Sequence, residues 1–88
     1  MSDLNVLREQ IDNIDSQIVK LLCERLDAVK NVAEYKKANG LEILQKSREA
    51  EVLNKIAEKI NNQEYARYIL EIYAAVLETS KDLQKGII

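Results

Sequence analysis

Six polar residues occupy positions where a small helical protein should be apolar: Arg25, Lys36, Arg48, Glu49, Ser80 and Gln84. Arginine and lysine only donate hydrogen bonds, an ionised glutamate only accepts, and serine and glutamine do both. Gathered together, they could grip a small anion in a fork of N–H groups and bind a hydroxyl beside it. The chain has no histidine and a single cysteine, Cys23. A Ser-His-Asp or Cys-His site and an intrachain disulfide are therefore excluded, and neither a zinc site nor any other metal or cofactor is expected.

The spacing of these residues sharpens the question. At about 100° per residue, Leu7, Ile11, Ile14, Leu22, Val29 and Val32 all fall within roughly 40° of Ile18 on one helical face. Arg25 lies about 20° from the centre of that stripe and Lys36 falls on it. A second stripe, Val52, Leu53, Ile56 and Ile60, has Glu49 near its centre and Arg48 on its flank. A third, Tyr65, Ile69, Tyr73 and Val76, runs into Ser80 and Gln84. Each residue has an ordinary explanation when taken singly. Lys36 could snorkel from a helix end, Arg25 could form a buried ion pair, Glu49 could decorate a helix N-terminus, and Ser80 and Gln84 could fray into solvent. Their recurrence in all three seams points to a shared site instead.

The elements that must position them are helices. The sequence has no proline, only two glycines, and abundant Leu, Ile, Ala, Glu and Lys, an all-α composition. Ser2 or Asp3 can cap a first helix that Asn39-Gly40 stops. Ser47 is the expected N-cap of a second helix over roughly 48–60. Asn61-Asn62 break it, and Asn61 with Glu64 has capping-box spacing before a third helix over roughly 63–84, ended by Gly86. Residues 1–88 form one domain, with no repeats, linkers or low-complexity segments.

The first helix is too long for that domain. Thirty-six residues span roughly 54 Å, whereas a compact chain of this length has a radius of gyration near 12 Å. So short a chain buries little core alone, and the apolar stripe runs the full length of the helix. The simplest cover is the same helix of a second copy, so a homodimer is expected. The net charge of −2 and pI of about 5.2 favour neither nucleic acid nor an anionic membrane. No apolar run approaches transmembrane length and the N-terminus lacks signal-peptide features, so a soluble cytoplasmic protein is expected. Cys23 lies off the main stripe and reads as a small structural residue.

If the seams converge, Arg25, Lys36 and Arg48 face a single carboxylate, Glu49. Burying unpaired charge costs several kcal/mol per ion, so the missing partner is a ligand with about two negative charges. Arginine suits carboxylates through its planar fork, which makes the ligand a small dicarboxylate. Arg8, at the edge of the first stripe, lies about 25 Å from Arg25 along a straight helix and cannot reach that pocket in its own chain. In an antiparallel dimer whose first helices cross near residue 19, Arg8 of one chain approaches the Arg25–Lys36 stretch of the other.

The run "LREQIDNIDSQIVKLLCERLDAVKNVAEYKKANG", followed by "REAEVLNKI", closely resembles the all-helical class of chorismate mutase. The resemblance extends from about residue 4 to 84. It implies three helices, an intertwined homodimer (the type II fold), and the Claisen rearrangement of chorismate to prephenate in phenylalanine and tyrosine biosynthesis. It also implies roles. Arg8 from the partner chain and Arg25 bind the substrate carboxylates, Lys36 contacts the ether oxygen and a carboxylate, and Gln84 donates a second hydrogen bond to that oxygen. Glu49 binds the ring hydroxyl, Ser80 lies near the ring carboxylate, and Arg48 shapes the pocket. The catalytic set so implied is Lys36, Gln84 and Arg25. Where the family often carries Asp three residues ahead of the Arg-Glu pair, this chain has Gln45, which remains a substrate-binding candidate.

Two other readings stand beside it. Isochorismate-pyruvate lyase shares the fold and nearly the same pocket. A non-catalytic helical dimerisation module accounts for the long first helix but leaves Arg25, Glu49 and Gln84 as unexplained cost. The chain length leaves no room for a dehydrogenase or dehydratase, so a free-standing mutase is the expectation.

Overall fold

The computed structural model describes residues 3–87, which form α1 (Leu4–Ala38), α2 (Lys46–Lys59) and α3 (Ala66–Ile87) with a 3₁₀ turn at Gln63–Tyr65 and no strand among them. The all-α reading therefore holds. Asp3 caps α1 by accepting from the Val6 N–H at 2.9 Å, and the alternative cap, Ser2, lies outside the described residues.

The far end of α1 closes in a Schellman turn. Leu41 N–H donates to the Lys36 carbonyl at 2.8 Å and Gly40 N–H to that of Lys37 at 3.4 Å. Gly40 has φ of +66°, the left-handed conformation that glycine adopts without a Cβ penalty. The chain doubles back here, which brings residues 41–45 alongside the last turn of α1.

Three boundaries differ from those the sequence suggests. Helix α2 begins at Lys46, with Gln45 at the N-cap and no side-chain cap bond, so Ser47 lies inside the helix. Asn62, not Asn61, caps the turn that follows α2, its Oδ1 accepting from Glu64 N–H at 3.0 Å. Gly86 does not stop α3, which runs on to Ile87. Glycine in a helix costs at most about 1 kcal/mol, a penalty that does not by itself end one.

Helix α3 is the shared element. Both α1 and α2 pack against it, and they do not pack against each other. The core this makes is small. Ala33 and Val52 are the buried apolar residues among those described, at 0% and 9% exposure. Every residue from Asp3 to Glu24 is exposed, leaving about 30 Å of α1 without cover. Leu7, Ile11, Ile14 and Ile18 remain between 45% and 56% exposed, and Cys23, expected as a structural residue, is exposed too. The molecule measures 58 × 24 × 15 Å with a radius of gyration of 16.3 Å. It is a rod with a short globular end, and the polar seam residues lie in that end.

Ala33 has no room to grow. Ala33→Leu is expected to lower the urea midpoint of unfolding, at a cost of about 1–3 kcal/mol from overpacking.

Candidate active site

One cleft of about 160 Å³ collects the seam residues. Arg25 and Lys36 of α1, Gln45 ahead of α2, Arg48 and Glu49 in its first turns, and Ser80 and Gln84 of α3 all line it, over an apolar floor that includes Val29, Val52 and Leu77. Arg8 does not.

The ordinary single-residue explanations fail on contact. Lys36 does not snorkel. Its Nζ donates to the Ile43 carbonyl at 2.7 Å and to Gln84 Oε1 at 2.8 Å. Among the described residues Arg25 has no carboxylate partner; its Nη1 donates to Ser80 Oγ at 2.7 Å, and the Ser80 hydroxyl donates in turn to the Val76 carbonyl at 2.7 Å. Ser80 and Gln84 do not fray, being 5% and 8% exposed. Glu49 is more than helix-end decoration, because it accepts from Lys81 Nζ of α3 at 3.0 Å.

These bonds leave a defined set of donors over. An ammonium has three N–H groups and Lys36 has used two; a guanidinium has five and Arg25 has used one. Lys36 can only donate, so the Gln84 amide must turn its oxygen toward it, and its NH₂ group has no partner among the described residues.

The charges divide in the same way. Arg48 pairs with Glu51 on the exposed face of α2, and Lys81 pairs with Glu49 and Glu78. Hydrogen bonds from Lys55 and then Arg48 hold the Glu51 carboxyl below its ordinary range. The bonds to Glu49 and then Glu78 push the Lys81 ammonium up, so it is charged at neutral pH. No ion pair among the described residues includes Arg25 or Lys36. The imbalance of three cations against one carboxylate therefore resolves into two uncompensated cations with neutral partners. Gln45 lines the cleft but spends one of its two amide N–H groups on the Glu42 carbonyl at 2.9 Å.

Sequence reasoning missed two parts of the cleft. Lys81 carries a signal in its register: Leu77, Ser80, Lys81 and Gln84 follow the i, i+3, i+4, i+7 pattern of one helical face. The Ile43 carbonyl carries none, because a backbone acceptor on a loop has no side-chain signature.

Fold and cleft together define an all-helical chain whose three helices wall a small, cation-bearing site. The model of the family described as chorismate mutase type II matches residues 7–85, and the chain belongs to that family. The bifunctional chorismate mutase/prephenate dehydratase of Aquifex aeolicus is 33% identical over 92 residues, covering 99% of this chain and 25% of its own length. A counterpart of the same name from Buchnera aphidicola is also 33% identical, with 23% of its length covered. The chain thus spans about a quarter of these bifunctional relatives. The chorismate mutase of Methanocaldococcus jannaschii is 34% identical over 80 residues, covering 90% of this chain and 81% of the relative. Among solved structures, a conserved hypothetical protein from Pyrococcus furiosus superposes with a TM-score of 0.76 at 37% identity, covering 96% of this chain and 97% of that one.

A cation held for a ligand is a burden on the empty protein. Arg25→Met is expected to stabilise the ligand-free chain by on the order of 1 kcal/mol in urea unfolding. The same substitution should remove calorimetrically detectable dicarboxylate binding.

Proposed function

We propose that this chain is a chorismate mutase, rearranging chorismate to prephenate in aromatic amino acid biosynthesis. The observation that carries the reading is the pair Arg25 and Lys36, two cations facing one cleft with neutral partners and unused N–H groups. Chorismate brings two carboxylates and therefore two negative charges. The free donors of Arg25 take one carboxylate. The third N–H of Lys36 and the uncommitted NH₂ of Gln84 are left for the ether oxygen. Glu49 accepts from the ring hydroxyl, Ser80 lies near the ring carboxylate, and Arg48 and Gln45 border the substrate on the α2 side.

The reaction breaks one C–O bond as it forms one C–C bond, with no proton transfer and no covalent intermediate. A chain without histidine loses nothing by that. Two contributions are left to the protein: holding the substrate in its compact, chair-like conformer, and meeting the charge that grows on the ether oxygen with donors already in place. Lys36 is suited to the second, since the Ile43 carbonyl and the Gln84 oxygen fix its Nζ before substrate arrives.

The working unit is an antiparallel homodimer with two equivalent sites. Ligand pockets usually enclose about 300–1,000 Å³, so a 160 Å³ cleft in one chain is a site short of a wall. The uncovered N-terminal half of α1 supplies that wall from the partner, bringing the partner's Arg8 to the substrate.

The direct test is product analysis: prephenate from chorismate supports the reading, whereas salicylate and pyruvate from isochorismate would make the chain a lyase. Mixing Arg8→Ala with Arg25→Ala protein under subunit exchange should restore one intact site per heterodimer; no recovery of turnover argues for a site within a single chain. Gln84→Ala should lower kcat by about 10²-fold or more, as loss of one oxyanion donor does. An amide does not titrate, so activity should stay flat from pH 5 to 8. In Gln84→Glu the side chain donates only when protonated, so activity should fall as pH rises through its pKa.

A further inference from the structure

We propose that Lys81 is a positioning residue, which holds the Glu49 carboxylate on the cleft wall as a fixed acceptor and keeps it from closing onto Arg25 and Lys36. The inference rests on the reading above, in which Glu49 receives the substrate's ring hydroxyl.

Among the described residues Glu49 is the one carboxylate that lines the cleft, and it shares that space with two cations that have no anionic partner among those residues. A glutamate side chain is flexible and long enough to pair with a nearby cation. If Glu49 did so in the empty site, the incoming dianion would have to displace it, and the hydroxyl would lose its acceptor. Lys81 meets both problems from the opposite helix. Its Nζ lies 3.0 Å from Glu49 Oε1 and 3.1 Å from Glu78 Oε2, so it is itself anchored on its solvent side. Lys81 is the most enclosed of the three, at 24% side-chain exposure against 39% for Glu49 and 62% for Glu78.

Each of the other ion pairs among the described residues lies within a single helix, and all but Lys81–Glu78 join two exposed side chains. Lys81–Glu49 alone joins two helices, and it does so at the cleft. Lys81 also cancels the Glu49 charge locally, so the field that draws a dianion toward Arg25 and Lys36 is not weakened by a bare carboxylate beside them.

A double-mutant cycle tests this. In the otherwise intact protein, Lys81→Met should raise KM for chorismate by about tenfold, the effect of one charge-assisted hydrogen bond, while kcat changes by less than about threefold. Lys81→Arg should restore most of the affinity. In a Glu49→Gln background, Lys81→Met should change KM by less than about twofold, since its target is gone. A full tenfold effect in that background would overturn the proposal, because Lys81 would then act independently of Glu49. If the Met variant does not fold, Lys81→Gln enters the same cycle with the same criteria. A second readout needs no substrate: the ¹³C resonance of the Glu49 carboxyl should move on Lys81→Met while that of exposed Glu9 does not, and an unmoved Glu49 signal would also overturn the proposal. Failure of the wild-type protein to turn over chorismate would instead sink the substrate assignment, leaving the Lys81–Glu49 contact to be decided by the carboxyl resonance.

Discussion

Lys36 is fixed from three directions, and much of the architecture serves to keep it so. Its backbone carbonyl closes the Schellman turn, its ammonium holds the Ile43 carbonyl just beyond that turn, and the same ammonium reaches the Gln84 amide on another helix. One residue thereby ties the end of α1, the returning loop and the last turns of α3 together. A lysine restrained in this way has already lost most of the side-chain freedom that ordinarily costs up to about 2 kcal/mol on binding. In the proposed reaction it offers the substrate an N–H in a set direction, the condition under which electrostatic stabilisation of a transition state is most effective.

Much of this was legible in the sequence, for identifiable reasons. Helical periodicity marked the three seams, and polar interruptions stand out against an apolar stripe. Arg25, Lys36, Glu49, Ser80 and Gln84 could therefore be found one helix at a time, and the structure brings them to one cleft. The overlong α1 followed from residue count and rise alone. Hidden were the features that depend on tertiary pairing. Nothing in local sequence says that Glu49 meets Lys81 or that Arg48 pairs with Glu51, so the charge count named four residues that do line the cleft but left out Lys81 and the pairings. Helix ends were misplaced for a related reason. Ser47 is a better cap than Gln45 by intrinsic preference, yet α2 starts at Lys46, with Gln45 tied back to the Glu42 carbonyl.

The distribution of burial has its own logic. The most enclosed of the described residues are Ala33, Ser80, Gln84 and Val52, so half of the interior they form is polar. Ser80 and Gln84 tolerate burial because each has a partner, and no buried side-chain polar atom among the described residues lacks one. An interior that is also a binding site contributes little hydrophobic stabilisation. The apolar surface that could supply it lies along the uncovered half of α1, at Leu7, Ile11, Ile14 and Ile18. In the proposed dimer, stability and the completed site come from the same act of association.

Helix α3 also sets how this protein can move. With α1 and α2 each laid against α3 and not against each other, the arrangement resembles an open book with α3 as its spine. Apart from the connecting loop, no hydrogen bond or ion pair among the described residues crosses from one cover to the other. In the proposed complex, a molecule seated between Arg25 and Lys36 on one side and Glu49 on the other becomes the clasp. Occupancy and rigidity then rise together, and a product that fits the two covers less well than its precursor loosens the very shape that was retaining it.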